Sequence, residues 1–159
     1  MEGVRGRRVL VAVDDSEQSM YALKWAVDHL QLSCNDTLVL CHVKRLPVAY
    51  EGLGGPAFVL TPEVALALEK YQDRIAQDVM KKAREICSGS NVKVEEKIVS
   101  GDARESLCEA VKNFEADFLV IGSHGYGAIK RAVLGSVSDY CAHHAKCPVL
   151  IVRKPHHHH

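Results

Sequence analysis

The sequence lacks the features that mark several classes of protein. No apolar run reaches about 18 residues, the length that a membrane-spanning helix needs. Lysine and arginine (20) balance aspartate and glutamate (20), so no excess charge points to nucleic acid or an anionic membrane. The basic segment 1–8 is followed by the short apolar run Val9–Val13, which is too short for a signal-peptide core. We therefore expect a cytoplasmic protein with no nucleic-acid or membrane partner.

The cysteines also lack a recognisable motif. All six are scattered, without a CxxC pair, and this favours reduced thiols over a disulfide framework. Cys141, His143, His144 and Cys147 suggest a zinc site, but on a helix only Cys141 and His144 would share a face. Structural or surface roles are therefore favoured for these four residues.

What the sequence does contain is a regular alternation of strand and helix patterns. Apolar, β-branched runs predict strands at 8–13, 37–43, 92–98, 118–121 and 148–152. Helical periodicity and capping residues predict four helices, beginning after Ser16, after Thr61, after Asp102 and at Ser136. The second helix has a predicted buried stripe of Val64, Leu68, Tyr71, Ile75, Val79, Ala83 and Ile86.

This alternation predicts one α/β domain over residues 1–155, with a parallel sheet and helices on both faces. The run 92–98 alternates, with Val92, Val94 and Ile98 on one side, but Glu96 interrupts this apolar side. We therefore predict a half-exposed strand at the edge of the sheet. Residues 156–159 are four histidines after Pro155, and we interpret them as a tag remnant or histidine tail outside the domain.

The polar loops fall at one edge of the predicted sheet, where ligands bind in open sheets of this kind. The most informative is the glycine-rich stretch 122–138, which begins at the end of a strand and ends in Gly135-Ser136 at a helix start. Glycines allow a ligand to approach the backbone, and free N–H groups at a helix start favour an anion. The stretch predicts a phosphate-bearing ligand; the alternative is a glycine-rich connection followed by a capped helix.

The stretch is not a Walker A loop, since Ala128-Ile129 follows Gly127, and it fits a dinucleotide fingerprint poorly. Its spacing, Gly122-x2-Gly125-x9-Gly135-Ser136, resembles the nucleotide-binding signature of the universal stress proteins. The resemblance extends to segments 11–17, 101–103 and 146–152. It covers residues 7–154 and is closest to plant single-domain members of the ATP-binding branch.

The resemblance implies an open, Rossmann-like sheet of five parallel strands in the order 3-2-1-4-5. It implies that ATP or AMP lies across the crevice between strands 1 and 4, and that the protein is a homodimer paired through its last strand. The implied nucleotide-binding residues are Ala12, Val13, Asp14, Val43, Gly122, Ser123, His124, Gly125, Gly135, Ser136, Val137 and Ser138.

Several roles stay open. Asp14 is a candidate ligand for Mg²⁺ bound with the phosphates, or else it contributes to helix capping. Arg131 or Lys130 is a candidate partner for phosphate charge, with a solvated helix face as the alternative.

The leading hypothesis is a nucleotide-binding or signalling module of the stress response with an unidentified signalling partner. A slow ATP hydrolase or phosphate-transferring enzyme and a nucleotide-free homodimerisation module are the alternatives. Gly122→Val and Gly125→Val are expected to reduce binding and to leave the fold largely intact.

Overall fold

The sheet has the predicted architecture. The computed structural model describes residues 5–45, 61–123 and 135–155. Five strands lie in these ranges: β1 (Arg8–Ala12), β2 (Thr37–Lys44), β3 (Lys93–Ser100), β4 (Phe118–Gly122) and β5 (Val149–Val152). All pair in parallel, in the order β3-β2-β1-β4-β5. The predicted fold class and strand order are therefore confirmed.

Helices alternate with these strands and begin close to the predicted residues. They are α1 (Glu17–His29), α2 (Pro62–Cys87), α3 (Ala103–Asn113) and α4 (Ser136–His144). The side chains of Ser16, Thr61 and Asp102 cap the first three, because each accepts a hydrogen bond from an N–H of the first turn. None of the described helices combines the length and apolarity that crossing a membrane requires.

Two hydrophobic layers enclose the sheet. On one face, residues such as Val9, Val11 and Leu40 pack against α1 and α2. On the other face, Leu10 and Leu119 belong to the layer that packs against α3 and α4. Side chains alternate along a strand, so a central parallel strand needs apolar residues at every position. This requirement explains the uninterrupted apolar runs of β1, β2 and β4.

The first half of α2 departs from the predicted buried stripe. Val64 and Tyr71 are 44% and 57% exposed, whereas burial is continuous along the inner face only from Ala76 to Cys87. The helix has 26 residues and is about 39 Å long, but the eight-residue strands beneath it span about 26 Å. The helical period was correct, but it gave no information about how far the sheet extends.

The predicted edge position and half-exposed character of β3 are confirmed. Val94 and Ile98 are 38% and 42% exposed. On the same face Glu96 receives two hydrogen bonds from Arg84 of α2, at 2.7 and 2.9 Å. An edge strand is flanked on one side only, so apolar residues there are covered less completely than in the centre.

Candidate functional site

The candidate site lies at the carboxyl ends of β1 and β4, where the strand order reverses. β1 pairs with β2 on one side and with β4 on the other, so successive connections leave this point in opposite directions. In open parallel sheets, a point of this kind has a crevice in which ligands bind. The helices α1 and α4 both begin at this edge.

A compact serine–aspartate turn closes the β1 side of the crevice. The Asp14 carboxylate Oδ1 accepts hydrogen bonds from the Ser16 N–H (2.8 Å) and from the Ser16 hydroxyl group. The Ser16 hydroxyl oxygen in turn accepts the Ser19 N–H of α1 at 3.1 Å. Ser16 is thus the helix cap, and Asp14 fixes the position of that cap. Within the described chain these bonds use only one carboxylate oxygen of Asp14.

On the β4 side, the two ends of the glycine-rich stretch meet at Ser123. The Ser123 carbonyl accepts hydrogen bonds from the Gly135 N–H (2.7 Å) and from the Ser138 hydroxyl (2.9 Å). Ser123 is only 1% exposed, and its own N–H donates to the Val152 carbonyl of β5. Residues 123 and 135 are therefore held together at the sheet edge.

The start of α4 has the chemistry of an anion site. The first N–H groups of a helix have no acceptor within the helix and carry partial positive charge. Gly135 is the N-cap residue and supplies no side-chain hydrogen bond to them, whereas the caps of α1, α2 and α3 do. Ser136 is exposed beside these groups. Ser138 is buried and its hydroxyl holds Ser123, so its side chain stabilises the site rather than facing the crevice.

Gly122 has a structural reason to be glycine. A Cβ atom at this position would lie 2.9 Å from the Gln18 carbonyl oxygen and 3.3 Å from the Ser19 nitrogen, both in the backbone of α1. A helix backbone cannot move aside as a flexible side chain can. The expectation that Gly122→Val leaves the fold largely intact is therefore wrong, because α1 packs directly on β4 at this residue.

His42 is a site residue that the sequence hypothesis did not include. It lies near the end of β2, is 4% exposed, and its Nδ1 is 2.9 Å from the Val13 carbonyl oxygen. A carbonyl only accepts, so Nδ1 carries a proton, and in the neutral ring Nε2 is then an acceptor. Among the described residues, Nε2 is the only buried side-chain nitrogen or oxygen without a hydrogen-bond partner. A polar residue inside an apolar strand near the predicted ligand edge was the available signal.

The structure brings most of the predicted residues to one edge. Ala12 ends β1 and is followed by Val13 and Asp14, and Val43 lies near the end of β2. Gly122 ends β4 and is followed by Ser123, while Gly135 precedes α4 and Ser136, Val137 and Ser138 form its first turn. The predicted residues His124, Gly125 and Arg131, and also Lys130, lie outside the described residues.

Of the four residues of the zinc hypothesis, Cys141 is buried. Over residues 5–45, 61–123 and 135–155, no group of three or more potential ligands is arranged to hold a metal ion.

Comparisons with known proteins identify the family. The sequence model of the universal stress protein family matches residues 6–153. Universal stress protein PHOS34 of Arabidopsis thaliana is 33% identical over 166 residues, an alignment that covers 94% of this chain and 62% of PHOS34. The chain therefore belongs to the universal stress protein family, as the glycine spacing indicated. It spans about three fifths of the length of PHOS34.

Solved structures agree on the fold. Universal stress protein UspA from Lactobacillus plantarum superposes with a TM-score of 0.75 at 23% identity, covering 95% of this chain and all of that protein. A universal stress protein family protein from Arabidopsis thaliana, solved with AMP bound, gives a TM-score of 0.68 at 24% identity. That alignment covers 94% of this chain and 92% of the AMP-bound protein.

Proposed function

We propose that this chain binds an adenine nucleotide, ATP or AMP, in the crevice between β1 and β4, and acts as a binding or signalling module of the stress response. The observation that carries the proposal is the junction at Ser123, which joins the glycine-rich stretch to the uncapped start of α4. Membership of the family supports it, as does the AMP bound to a relative of the same fold.

In this proposal the phosphates lie at the start of α4. The N–H groups that follow Gly135 and the exposed Ser136 hydroxyl would donate to phosphate oxygens, and the helix dipole favours their charge. Ser138 and Val137 contribute through the backbone and through packing, since the Ser138 hydroxyl is already bonded to Ser123. His124, Gly125 and Arg131 remain predicted contributors to ribose and phosphate binding.

The base and ribose would lie between the ends of β1 and β2. Ala12, Val13 and Val43 would line this region. The Val13 N–H donates to the Cys41 carbonyl and the Val13 carbonyl accepts from His42, so these bonds hold the end of β1 in place. Asp14 would accept a ribose hydroxyl group through the oxygen that Ser16 does not use. That same oxygen is the candidate Mg²⁺ ligand, since a nucleotide magnesium often uses only one or two carboxylates. Bound Mg²⁺ would neutralise phosphate charge.

The experiment compares nucleotide binding in two variants that each add a negative charge at the start of a helix. Ser136→Glu places a carboxylate beside the phosphates, so we expect calorimetry to show at least about a tenfold weaker Kd for ATP and AMP, or about 1.4 kcal/mol. An acidic residue in the first turn favours the helix itself, so loss of folding does not explain such a result. The matched control, Ala103→Glu at the first position of α3, should bind as the unmodified protein does.

An unmodified protein that binds neither ATP nor AMP, and from which none is released on denaturation, would contradict the proposal. Steady phosphate release from ATP that is lost in Ser136→Glu would instead favour the slow hydrolase.

We extend the proposal to a cytoplasmic homodimer paired through β5, because β5 is an edge strand with half-buried apolar residues. Light scattering should then give twice the 17.5 kDa mass of the chain.

A further inference from the structure

The peptide unit that joins Val13 to Asp14 is held by side chains from two different elements. The Val13 carbonyl oxygen lies 2.9 Å from Nδ1 of the His42 ring, which belongs to β2. The Asp14 N–H, the other polar group of the same peptide unit, donates to the Ser19 hydroxyl oxygen of α1 at 2.9 Å. The orientation of this peptide unit is therefore fixed from both sides.

The Ser19 hydroxyl holds the backbone of Asp14 at two points. Besides accepting the Asp14 N–H, it donates its own proton to the Asp14 carbonyl at 3.0 Å. The Asp14 carboxylate Oδ1 is held in turn by the Ser16 N–H at 2.8 Å. Asp14 is thus fixed to the start of α1, and its second carboxylate oxygen has one defined direction.

His42 is a rigid support for this arrangement. Its ring is 4% exposed, and Val13, whose carbonyl it contacts, is 3% exposed. The strand that carries His42 is paired on both sides, with β1 and with β3, so the ring cannot follow a movement of the loop after β1. Groups that bind a ligand are held most precisely when buried side chains with fixed rotamers support them from behind.

We propose that His42 is a positioning residue whose Nδ1 hydrogen bond to the Val13 carbonyl orients the Asp14 carboxylate for the ribose hydroxyl group or the Mg²⁺ of a bound nucleotide. This inference rests on the proposed nucleotide binding. Without His42 the Val13 carbonyl is a buried acceptor that has lost its partner, which is costly. Turning the peptide unit to find another partner turns the Asp14 backbone as well. His42 therefore acts through Asp14 and does not touch the nucleotide.

Two substitutions separate the roles of the two ring nitrogens. His42→Asn places an amide nitrogen at the position of Nδ1, so the donor to the Val13 carbonyl is kept and Nε2 is removed. His42→Leu removes both nitrogens and leaves an apolar side chain of similar size. Circular dichroism would verify that the variants are folded. His42→Gln, whose amide lies one bond farther along the side chain, replaces His42→Leu if that variant does not fold.

The first measurement is the Kd for ATP with Mg²⁺, by calorimetry. We expect His42→Leu to weaken binding about fivefold, the effect of one hydrogen bond, and His42→Asn to stay within about twofold of the unmodified protein. His29→Leu is the matched control and should not change the Kd, because His29 makes the same kind of bond to the Trp25 carbonyl (3.0 Å) but is exposed at the end of α1. Equal losses in His42→Leu and His42→Asn would overturn the proposal.

A double-mutant cycle tests whether His42 acts through Asp14. Asp14→Asn keeps an oxygen for Ser16 and replaces the oxygen that Ser16 does not use. In this background we expect His42→Leu to weaken binding by less than about twofold, because the group that His42 positions is no longer a carboxylate. A fivefold loss in both backgrounds would overturn the proposal.

The second measurement needs no nucleotide. Amide hydrogen exchange, followed by NMR, is normalised to the Leu10 N–H in the centre of β1, which reports opening of the whole sheet. We expect the Asp14 N–H to exchange about fivefold faster in His42→Leu and at the unmodified rate in His42→Asn. Equal acceleration at Asp14 and Leu10 would overturn the proposal. An unmodified protein that binds no nucleotide would contradict the proposed function, and this measurement would still decide whether His42 holds Asp14.

Discussion

The two edges of the sheet differ in how completely their polar groups are paired. At the amino edge, where β1 and β2 begin, the Asp36 carboxylate accepts hydrogen bonds from the Arg7 N–H (2.8 Å), the Arg7 guanidinium (3.0 Å) and the Ser33 N–H (2.8 Å). The Arg8 N–H donates to the Asp117 carboxylate at 2.7 Å. These bonds join the starts of β1, β2 and β4.

The carboxyl edge leaves polar groups available. Within the described residues, His42 Nε2 has no hydrogen-bond partner and the start of α4 has no side-chain cap. An unpaired buried polar group costs free energy unless something else satisfies it. The amino edge therefore serves folding, whereas the carboxyl edge keeps donors and acceptors that a ligand can use.

The largest expected effect comes from a substitution at the carboxyl edge, and it tests whether this edge also contributes to the stability of the fold. Gly122→Val forces a side chain against the backbone of α1, so we expect the free energy of unfolding to fall by about 3 kcal/mol. Urea denaturation would measure this change. Gly89→Val is the matched control, because a Cβ at Gly89 meets nothing within 4 Å and the change should be below about 0.5 kcal/mol. Equal stability of the two variants would contradict the packing argument.

The next effect tests the amino edge. Asp36→Ala removes a buried acceptor of three hydrogen bonds, and we expect a loss of about 2 kcal/mol in the free energy of unfolding at neutral pH. Asp28→Ala is the control, since Asp28 forms only an exposed pair with Lys24 on α1, worth about 0.5 kcal/mol or less. A similar loss in both variants would contradict the special role of the amino edge.

The same variant has a predicted pH dependence. The Arg7 guanidinium, followed by the N–H groups of Ser33 and Arg7, holds the pKa of Asp36 well below its usual range. A lowered folded-state pKa means that this stabilisation is present above about pH 4, the pKa of an unfolded aspartate, and is lost as the pH falls further. Urea denaturation between pH 6 and about pH 2.5 should show a shallower decline for Asp36→Ala than for the unmodified protein. Parallel curves would refute the assignment.

The smallest expected effect concerns a pair on the surface of α2 and β3. Arg84→Ala removes the contact of one guanidinium nitrogen with both carboxylate oxygens of Glu96, where the Arg84 side chain is 49% exposed. We expect a loss of about 0.5 kcal/mol at low salt that disappears near 1 M salt, because exposed pairs are screened. A larger, salt-insensitive loss would show that bonds outside the amino edge are equally important for stability.

Much of the fold was predictable because its signals are local. The apolar runs of β1, β2 and β4, the caps Ser16 and Thr61, and the glycine spacing from Gly122 to Ser136 all lie within short segments. The exposure of Val64 and Tyr71 was not predictable, since it depends on where the sheet ends beneath α2. Exposure of this kind depends on neighbours that are distant in sequence.

Part of the candidate site was likewise predictable from the sequence, and part was not. Its position followed from the alternation of strands and helices, since right-handed crossovers place every loop between a strand and the following helix at one edge. Two features of the site did not follow from the sequence. They are the use of Gly122 to admit the backbone of α1 and the bond from His42 to Val13.

The sequence by itself determined which elements form, in what order, and at which edge a ligand would bind, because periodicity, caps and connection rules act over a few residues. Only the tertiary structure decided which polar groups at that edge are already bonded to the protein. Hydrogen bonds such as those from Gly135 and Ser138 to Ser123 form between segments that folding alone brings within 3 Å.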